Sequence, residues 1–400
     1  MKLNLTSKKH QYSMLIATFV VVLIVFLLWL LVWRFEEYTT DSYVQGNMVT
    51  IKPLRYGFVT GIFTDDSFAV KKGQILISLD KTDAEIALEK AKQKLAQTVR
   101  EICQSYHNVF VLAADIRIKE AQELKARQNL KHRQGVIRLK GISLEDYQNA
   151  VDDFNASKAA VDSTKNSFKK ALAWVQGSSI TQHPAVQAAV QELRDAWVQL
   201  YRCTIYAPVD GIVAQRTIQV GMSVTPNDAL MSVIPMDQIW VNANFKETQM
   251  KYMRIGQPVR MTADLYGNAV VYHGTIVGLP GAAGNVFALL PPENLSGNWI
   301  KIVQRLPVRV HLRPEEVSQF PLRVGLTMTA RVDISNTDGP YMNTPAVIGP
   351  RYETSIFNQE EVGVDRLINQ IIAQNLDPSL LQFAAQELNP KILAPWSARQ

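Results

Sequence analysis

The pattern of apolar and polar positions changes character along the chain, and each change predicts an element. Residues 11 to 33 carry no charge, and Ser13 to Trp33 form a nearly unbroken apolar run. At ~1.5 Å per residue that run spans roughly 31 Å, which matches a hydrocarbon core of about 30 Å. A transmembrane helix is expected at 13–33, after a short N-terminal stretch at 1–12. Lys2, Lys8 and Lys9 precede it, and Glu36 and Glu37 follow Arg34 at once, so the amino terminus is expected on the cytoplasmic side. Trp29 and Trp33 suit the outer interface as anchors. The apolar run is too long for a signal peptide, no small-residue cleavage site follows it, and no Cys lies nearby to make a lipoprotein.

The next pattern occurs twice. Residues 57 to 80 and 207 to 234 align at a constant offset of 154: Gly57 over Gly211, Val59 over Val213, Val70 over Val224, Leu76 over Leu230, Ser78 over Ser232. Phe58 over Ile212, Ile75 over Ala229 and Leu79 over Val233 keep the apolar pattern in step. Each copy reads as a short strand, a turn and a second short strand. The two copies, 57–81 and 206–235, are expected to close into one body resembling a lipoyl domain. Everything between them must then project outward. Ser67 stands where the second copy has Gly221, a change that concerns a turn.

Between the copies the period becomes seven. Leu88, Leu95, Ile102, Val109, Ile116, Leu130 and Ile137 keep the step, broken only by Glu123, which is a coiled-coil seam. Thr82-Asp83-Ala84-Glu85 reads as a capping box at its start. The chain is expected to turn near Gly135 to Gly141 and return from a Ser143 cap. The return seam is Tyr147, Phe154, Val161, Phe168 and Val175, then Val186, Leu193 and Leu200 four residues out of register. That shift predicts a stutter or local bulge at Gly177-Ser178-Ser179. Residues 82–205 are therefore expected to form an antiparallel hairpin roughly 80 Å long. A rod of that length cannot bury much of its own surface, which leaves surface for a partner.

After residue 236 the period falls to two. Leu322, Val324, Leu326, Met328, Ala330, Val332 and Ile334 alternate with polar residues, and Ile300, Ile302, Leu306, Val308 and Val310 do likewise. One wet face per strand predicts a small antiparallel barrel over 236–336, which 40–56 joins as a lead-in strand. Val286 to Leu290 form an apolar stretch inside the long loop from Gly278 to Asn298. Residues 337–400 read as a linker, an amphipathic helix near 361–374 with Val364, Leu367, Ile368 and Ile371 on one side, and a tail. The expected class is a multi-domain α+β chain.

Composition alters this picture little. The net charge is +6, and 81–205 carries 19 Lys+Arg against 14 Asp+Glu, so +5 of the excess lies in the hairpin. Residues 117 to 140 hold eight Lys and Arg against Glu120 and Glu123, so the far end is expected to be basic. Basic residues interleaved with stacking aromatics on a compact fold are absent, which argues against nucleic acid. Cys103 lies about 30 Å along the hairpin and Cys203 near its base, so a disulfide is excluded. No nucleotide-binding, serine-hydrolase or zinc-peptidase motif is present, and the six histidines lie far apart. No catalytic residue, metal ligand or cofactor is expected. The tempting exception is Lys81, because swinging-arm enzymes carry lipoyl or biotin on a lysine between two such halves. Here it falls at a strand-to-helix junction, away from any hairpin tip.

Several stretches carry a resemblance: Ala207-Pro208-Val209-Asp210-Gly211, Trp240 to Thr248, Met253 to Val259 and Gly297 to Arg309. Together with the element order, they resemble the membrane-fusion or periplasmic adaptor family, the HlyD-like proteins, and within it the EmrA branch. The resemblance implies an inner-membrane adaptor without enzymatic activity. It would join a major-facilitator (EmrB-like) drug exporter to a TolC-like outer-membrane channel and self-associate into a ring, a trimer or hexamer. Adaptors of an ABC-type protein-secretion pump share the layout, but the 240s stretch points away from them. Adaptors that meet TolC commonly place Arg, Leu and Ser at the hairpin tip. The matching positions here are His132, Val136 and Ser143, so only the Ser is kept.

Overall fold

The computed structural model describes residues 5–31, 35–137, 141–283, 286, 303–342 and 350–380. Helix α1 (Leu5–Leu31) exposes its described side chains on all sides, with Leu15, Phe19 and Val22 at 66%, 67% and 59%. Among the described residues no helix is long and apolar enough to cross a membrane. Trp33, and the side chain of Trp29 in α1, lie outside the described residues.

Chain order then gives β1 (Glu36–Gly46), β2 (Val49–Ile51), β3 (Gly57–Ile62), β4 (Ala69–Val70) and β5 (Ile75–Leu79). Helices α2 (Thr82–Ile137), α3 (Leu144–Val175) and α4 (Pro184–Tyr201) follow, and then β6 (Thr204–Tyr206), β7 (Gly211–Ala214), β8 (Ser223–Val224) and β9 (Met231–Ile234). The strands β2 to β9 make two four-stranded sheets, ordered β2-β9-β7-β4 and β6-β5-β3-β8. Each sheet takes two strands from each side of the hairpin.

The offset of 154 is a symmetry of this sandwich. Gly57 faces Val224 and Val70 faces Gly211, so adding 154 to Gly57 and subtracting 154 from Val224 turns the first pair into the second. Ser78 opposite Thr204 maps in the same way onto Thr50 opposite Ser232. Burial follows the same rule: Leu76 and Leu230 are both 0% exposed, and Val59 and Val213 are 2% and 1%. Each such side chain contributes about 1.5–3 kcal/mol. The symmetry also explains the turn residues. The Ser67 amide donates to Val213 O at 2.9 Å and the Gly221 amide to Val59 O at 2.8 Å. Both residues are left-handed, φ +72° and +88°. Glycine meets that requirement without strain, whereas Ser is strained by about 1 kcal/mol. Ser67→Gly is therefore expected to raise stability by ~0.5–1 kcal/mol, measurable as a higher thermal midpoint.

Strands β10 (Ile239–Lys246), β11 (Pro258–Ala263), β12 (Val271–Gly278), β13 (Arg305–Leu312) and β14 (Thr327–Asp333), with helix α5 (Pro314–Gln319) between the last two, build the second β body. It is a closed barrel ordered β1-β10-β13-β12-β11-β14, and closure removes the open sheet edges. Val241, Ala243, Phe245, Val308, Val310, Ala330 and Val332 fill it at 0% exposure. The Arg309 guanidinium lies 3.7 Å from the Trp240 ring centroid on the outer face. The strand that closes the barrel starts at Glu36, earlier than the expected lead-in at 40. Val286 is 60% exposed, and the rest of the apolar loop stretch lies outside the described residues.

In the hairpin the expected seam is buried near the base. Leu88, Leu95, Ile102, Val109 and Ile116 are 0–6% exposed. Two details differ from expectation. The start of α2 is closed by Asp80, whose carboxylate accepts from the Thr82 amide at 3.0 Å and the Thr82 hydroxyl at 2.8 Å. The Glu85 amide donates to Lys81 O at 2.8 Å, so Thr82 is already helical and the capping box does not form. The return leg also breaks, where a stutter or a local bulge was expected. Residues 176–183 are non-helical, Gly177 has φ +85°, and His183 caps α4 by accepting from the Ala185 amide at 3.2 Å. Pro184 at the start of α4 has no amide to continue the helix. Tyr106, 1% exposed, fixes the break by donating to Ser178 O at 2.5 Å.

The C-terminal segment returns to this base. Helix α6 (Val364–Asn375) buries Val364, Ile368, Ile371 and Ile372 in one core with Leu95, Val99 and Leu193 of α2 and α4. Arg194 pairs with Glu361 and Asp365, Arg202 with Glu360, and His107 with Asp377 at 2.9 Å. Hydrogen bonds from the Ser379 hydroxyl and amide, and the contact with His107, hold the Asp377 carboxyl down at about 2. A depressed carboxyl stabilises docking above its ordinary value near 4 and loses that contribution as pH falls through 2. Wild type and Asp377→Asn should therefore differ in melting temperature near pH 5, and the difference should vanish towards pH 2.

Candidate functional site: the tip of the hairpin

With 56 residues, α2 extends about 84 Å at ~1.5 Å per residue. Its far end is thinner than its base. Beyond Ile116 no residue of α2 is buried, and α3 buries only Ala150, Val161 and Val175. The two legs are held together there by single contacts. Lys165 pairs with Glu120 at 3.0 Å, the Arg127 guanidinium sits 5.6 Å from the Phe154 ring centroid, and Arg133 donates to Asp146 O at 2.9 Å.

His132 and Val136 lie one turn apart on α2, hence on one face, and both are exposed, Val136 at 41%. The returning chain passes against Val136 through Gly141, whose amide donates to Val136 O at 3.2 Å. Ser143 is exposed, but its hydroxyl is engaged in its own helix. It accepts from the Asp146 amide at 3.0 Å and donates to the Asp146 carboxylate at 2.7 Å. The tip thus holds Val136 and the 141–143 turn side by side, with Ser143 acting as a helix cap. Sequence reasoning passed over Leu144, which at 76% exposure is the most exposed apolar side chain among the described residues of the tip. Its place directly after the cap, at the outermost position of α3, was the available signal.

The charge at this end is divided unevenly between the two legs. The outgoing leg is basic, and the return leg sets Glu145, Asp146, Asp152, Asp153 and Asp162 beside it against Lys158 and Lys165. The far end is therefore a basic leg next to an acidic one with a positive excess, eight Lys and Arg against two Glu over 117–140 and two Lys against five carboxylates over 141–165. Glu145 and Asp146 lie in the first turn of α3, where the helix dipole favours carboxylates. The return leg offsets about half of the outgoing leg's charge.

Elsewhere the chemistry is sparse. Lys81 is exposed at the entry to α2, with its carbonyl engaged in the helix start. His183 and His273 are bonded to Trp174 O and Glu316 at 3.0 and 2.8 Å. Among the described residues no cluster could hold a metal ion. Cys103 and Cys203 are free and buried, and burial pushes both thiols up.

Comparison with known proteins bears on the hairpin first. Residues 82–203 match the family described as EMRA, alpha-helical hairpin domain. Multidrug export protein EmrA of Escherichia coli is 39% identical over 352 residues, covering 87% of this chain and 89% of that one. Fatty acid resistance protein FarA of Neisseria gonorrhoeae is 38% identical over 338 residues, 84% and 85% of the two chains. The solved structure of the periplasmic adaptor protein EmrA is 15% identical and covers 75% of this chain and 98% of that one, with a TM-score of 0.39.

Proposed function

We propose, because this chain belongs to the EmrA family of multidrug-efflux adaptor proteins, that it joins an inner-membrane major-facilitator exporter to a TolC-like outer-membrane channel. The observation that carries this reading is the rod. A body closed by two halves of one β motif leaves the intervening residues no course but outward, and α2 reaches about 84 Å from it. That length suits a connection across an aqueous compartment. It also puts the exposed Val136, Ser143 and Leu144 at the point farthest from the sandwich and the barrel.

The charge-free run at 11–33 supports a single inner-membrane anchor with the amino terminus cytoplasmic and the remainder periplasmic. Several copies arranged in a ring would enclose the path of a hydrophobic toxic compound. The adaptor's part is mechanical and involves no chemistry.

The test places a photocrosslinking amino acid at His132 or Val136 in cells and, as a control, at the exposed Phe63 of the sandwich. Capture of a TolC-like outer-membrane channel from the tip positions alone is expected. Equal capture from Phe63, or a partner other than an outer-membrane channel at the tip, would overturn the reading.

A further inference from the structure

Where the sandwich, the end of α4 and the C-terminal segment meet, the protein forms an open cavity of about 330 Å³. That volume lies at the small end of the range for ligand pockets, about 300–1,000 Å³. One wall is the pair Tyr201 and Tyr206, stacked with ring centroids 5.2 Å apart. Opposite them Ile356 and Phe357 come in from the C-terminal segment, and Ile51 and Ile205 lie on the sandwich side. Phe357 is 55% exposed and Leu54 at the rim 49%, so an apolar lip opens to solvent.

The polar groups of the lining are unequal in sign. Arg202 is satisfied by Glu360, which accepts from its Nε at 3.1 Å and its Nη2 at 2.8 Å. Glu360 is itself only 7% exposed, so this pair is part of the wall. Lys52 also lines the cavity, is exposed, and has no ion-pair partner among the described residues. Lys52 and Arg202 against Glu360 leave one uncompensated positive charge beside an aromatic and aliphatic interior. A cationic guest would be repelled, and a neutral one would leave Lys52 unanswered.

We propose that this cavity is a binding site for a small apolar carboxylate of one or two rings, packed on Tyr201 and Tyr206 with its charge at Lys52. Its walls come from three separate stretches of chain, so an occupant would also tie the C-terminal segment to the sandwich.

Photolabelling of the full-length protein in lipid nanodiscs with 4-benzoylbenzoic acid, followed by peptide mass mapping, tests this. Saturable adducts are expected within 201–206 and 354–357. Lys52→Glu and Phe357→Asp change exposed positions and should melt like wild type, yet each should raise the half-saturating concentration about tenfold. The uncharged 4-methylbenzophenone should bind about tenfold more weakly than the acid and be indifferent to Lys52→Glu. Adducts outside these residues, or equal labelling of wild type and Lys52→Glu by the acid, would overturn the proposal. The assay contains no exporter or channel, so its failure would leave the adaptor reading untouched.

Discussion

Replacing Val136 and Ser143 together by Asp is expected to reduce drug resistance to that of a strain lacking the protein, with abundance and melting temperature unchanged. The fold has little reason to respond. Val136 is 41% exposed. Asp is as good a helix cap as Ser, typically a difference well under ~1 kcal/mol, and it can accept from the Asp146 amide as Ser143 does. Repulsion between the new carboxylate and Asp146 acts in water, where exposed pairs count for about 0–1 kcal/mol. A docked tip is different, because two charges must then lose their water without a counter-charge. Each such unpaired charge costs on the order of 2–5 kcal/mol at an interface, so the pair weakens docking by a thousandfold or more, and every copy in a ring pays it again. Minimum inhibitory concentrations measured with quantitative immunoblots read this out. Full resistance in the double variant would remove the tip from the docking surface.

What the sequence disclosed and what it concealed divide along one physical line. Regular patterns were legible because burial imposes them residue by residue. The offset of 154 reappears as paired strands, with Gly57 facing Val224 as Val70 faces Gly211. The seven-residue step from Leu88 to Ile116 reappears as a buried seam. Competition between neighbours was harder to see. Asp80 and Thr82 are both good caps, and only the chain direction out of β5 decides that the Asp80 carboxylate reaches the Thr82 amide. The break at 176–183 was read as a shift of register because Val175 and Val186 both keep inward places, while Ile180 fills the gap between them at 0% exposure. The partner of α6 lay beyond reach altogether: the apolar side at Val364, Ile368 and Ile371 was visible, but the surface it covers belongs to residues roughly 170 to 280 positions earlier.

That distant contact supplies the largest expected effect on stability. Ile368→Asp sets a carboxylate into a position that is 5% exposed, between α6 and the Val99 and Leu193 side chains of the hairpin base. A buried charge without a partner costs several kcal/mol. The helix can escape that cost only by undocking, which exposes Val364, Ile371 and Ile372 as well. A loss of ~3–5 kcal/mol in the stability of the base is therefore expected. Ile368→Val, which removes one methylene, should cost only ~0.5–1.5 kcal/mol. Hydrogen exchange separates the two routes. Undocking should raise exchange along α2 from Leu95 to Val109 and in α4, and leave the barrel strands protected. Resistance should fall too, since a tip about 84 Å out amplifies any loosening at the root. Unchanged protection of Leu95 to Val109 in the Asp variant would mean that α6 is not needed to hold the hairpin base together.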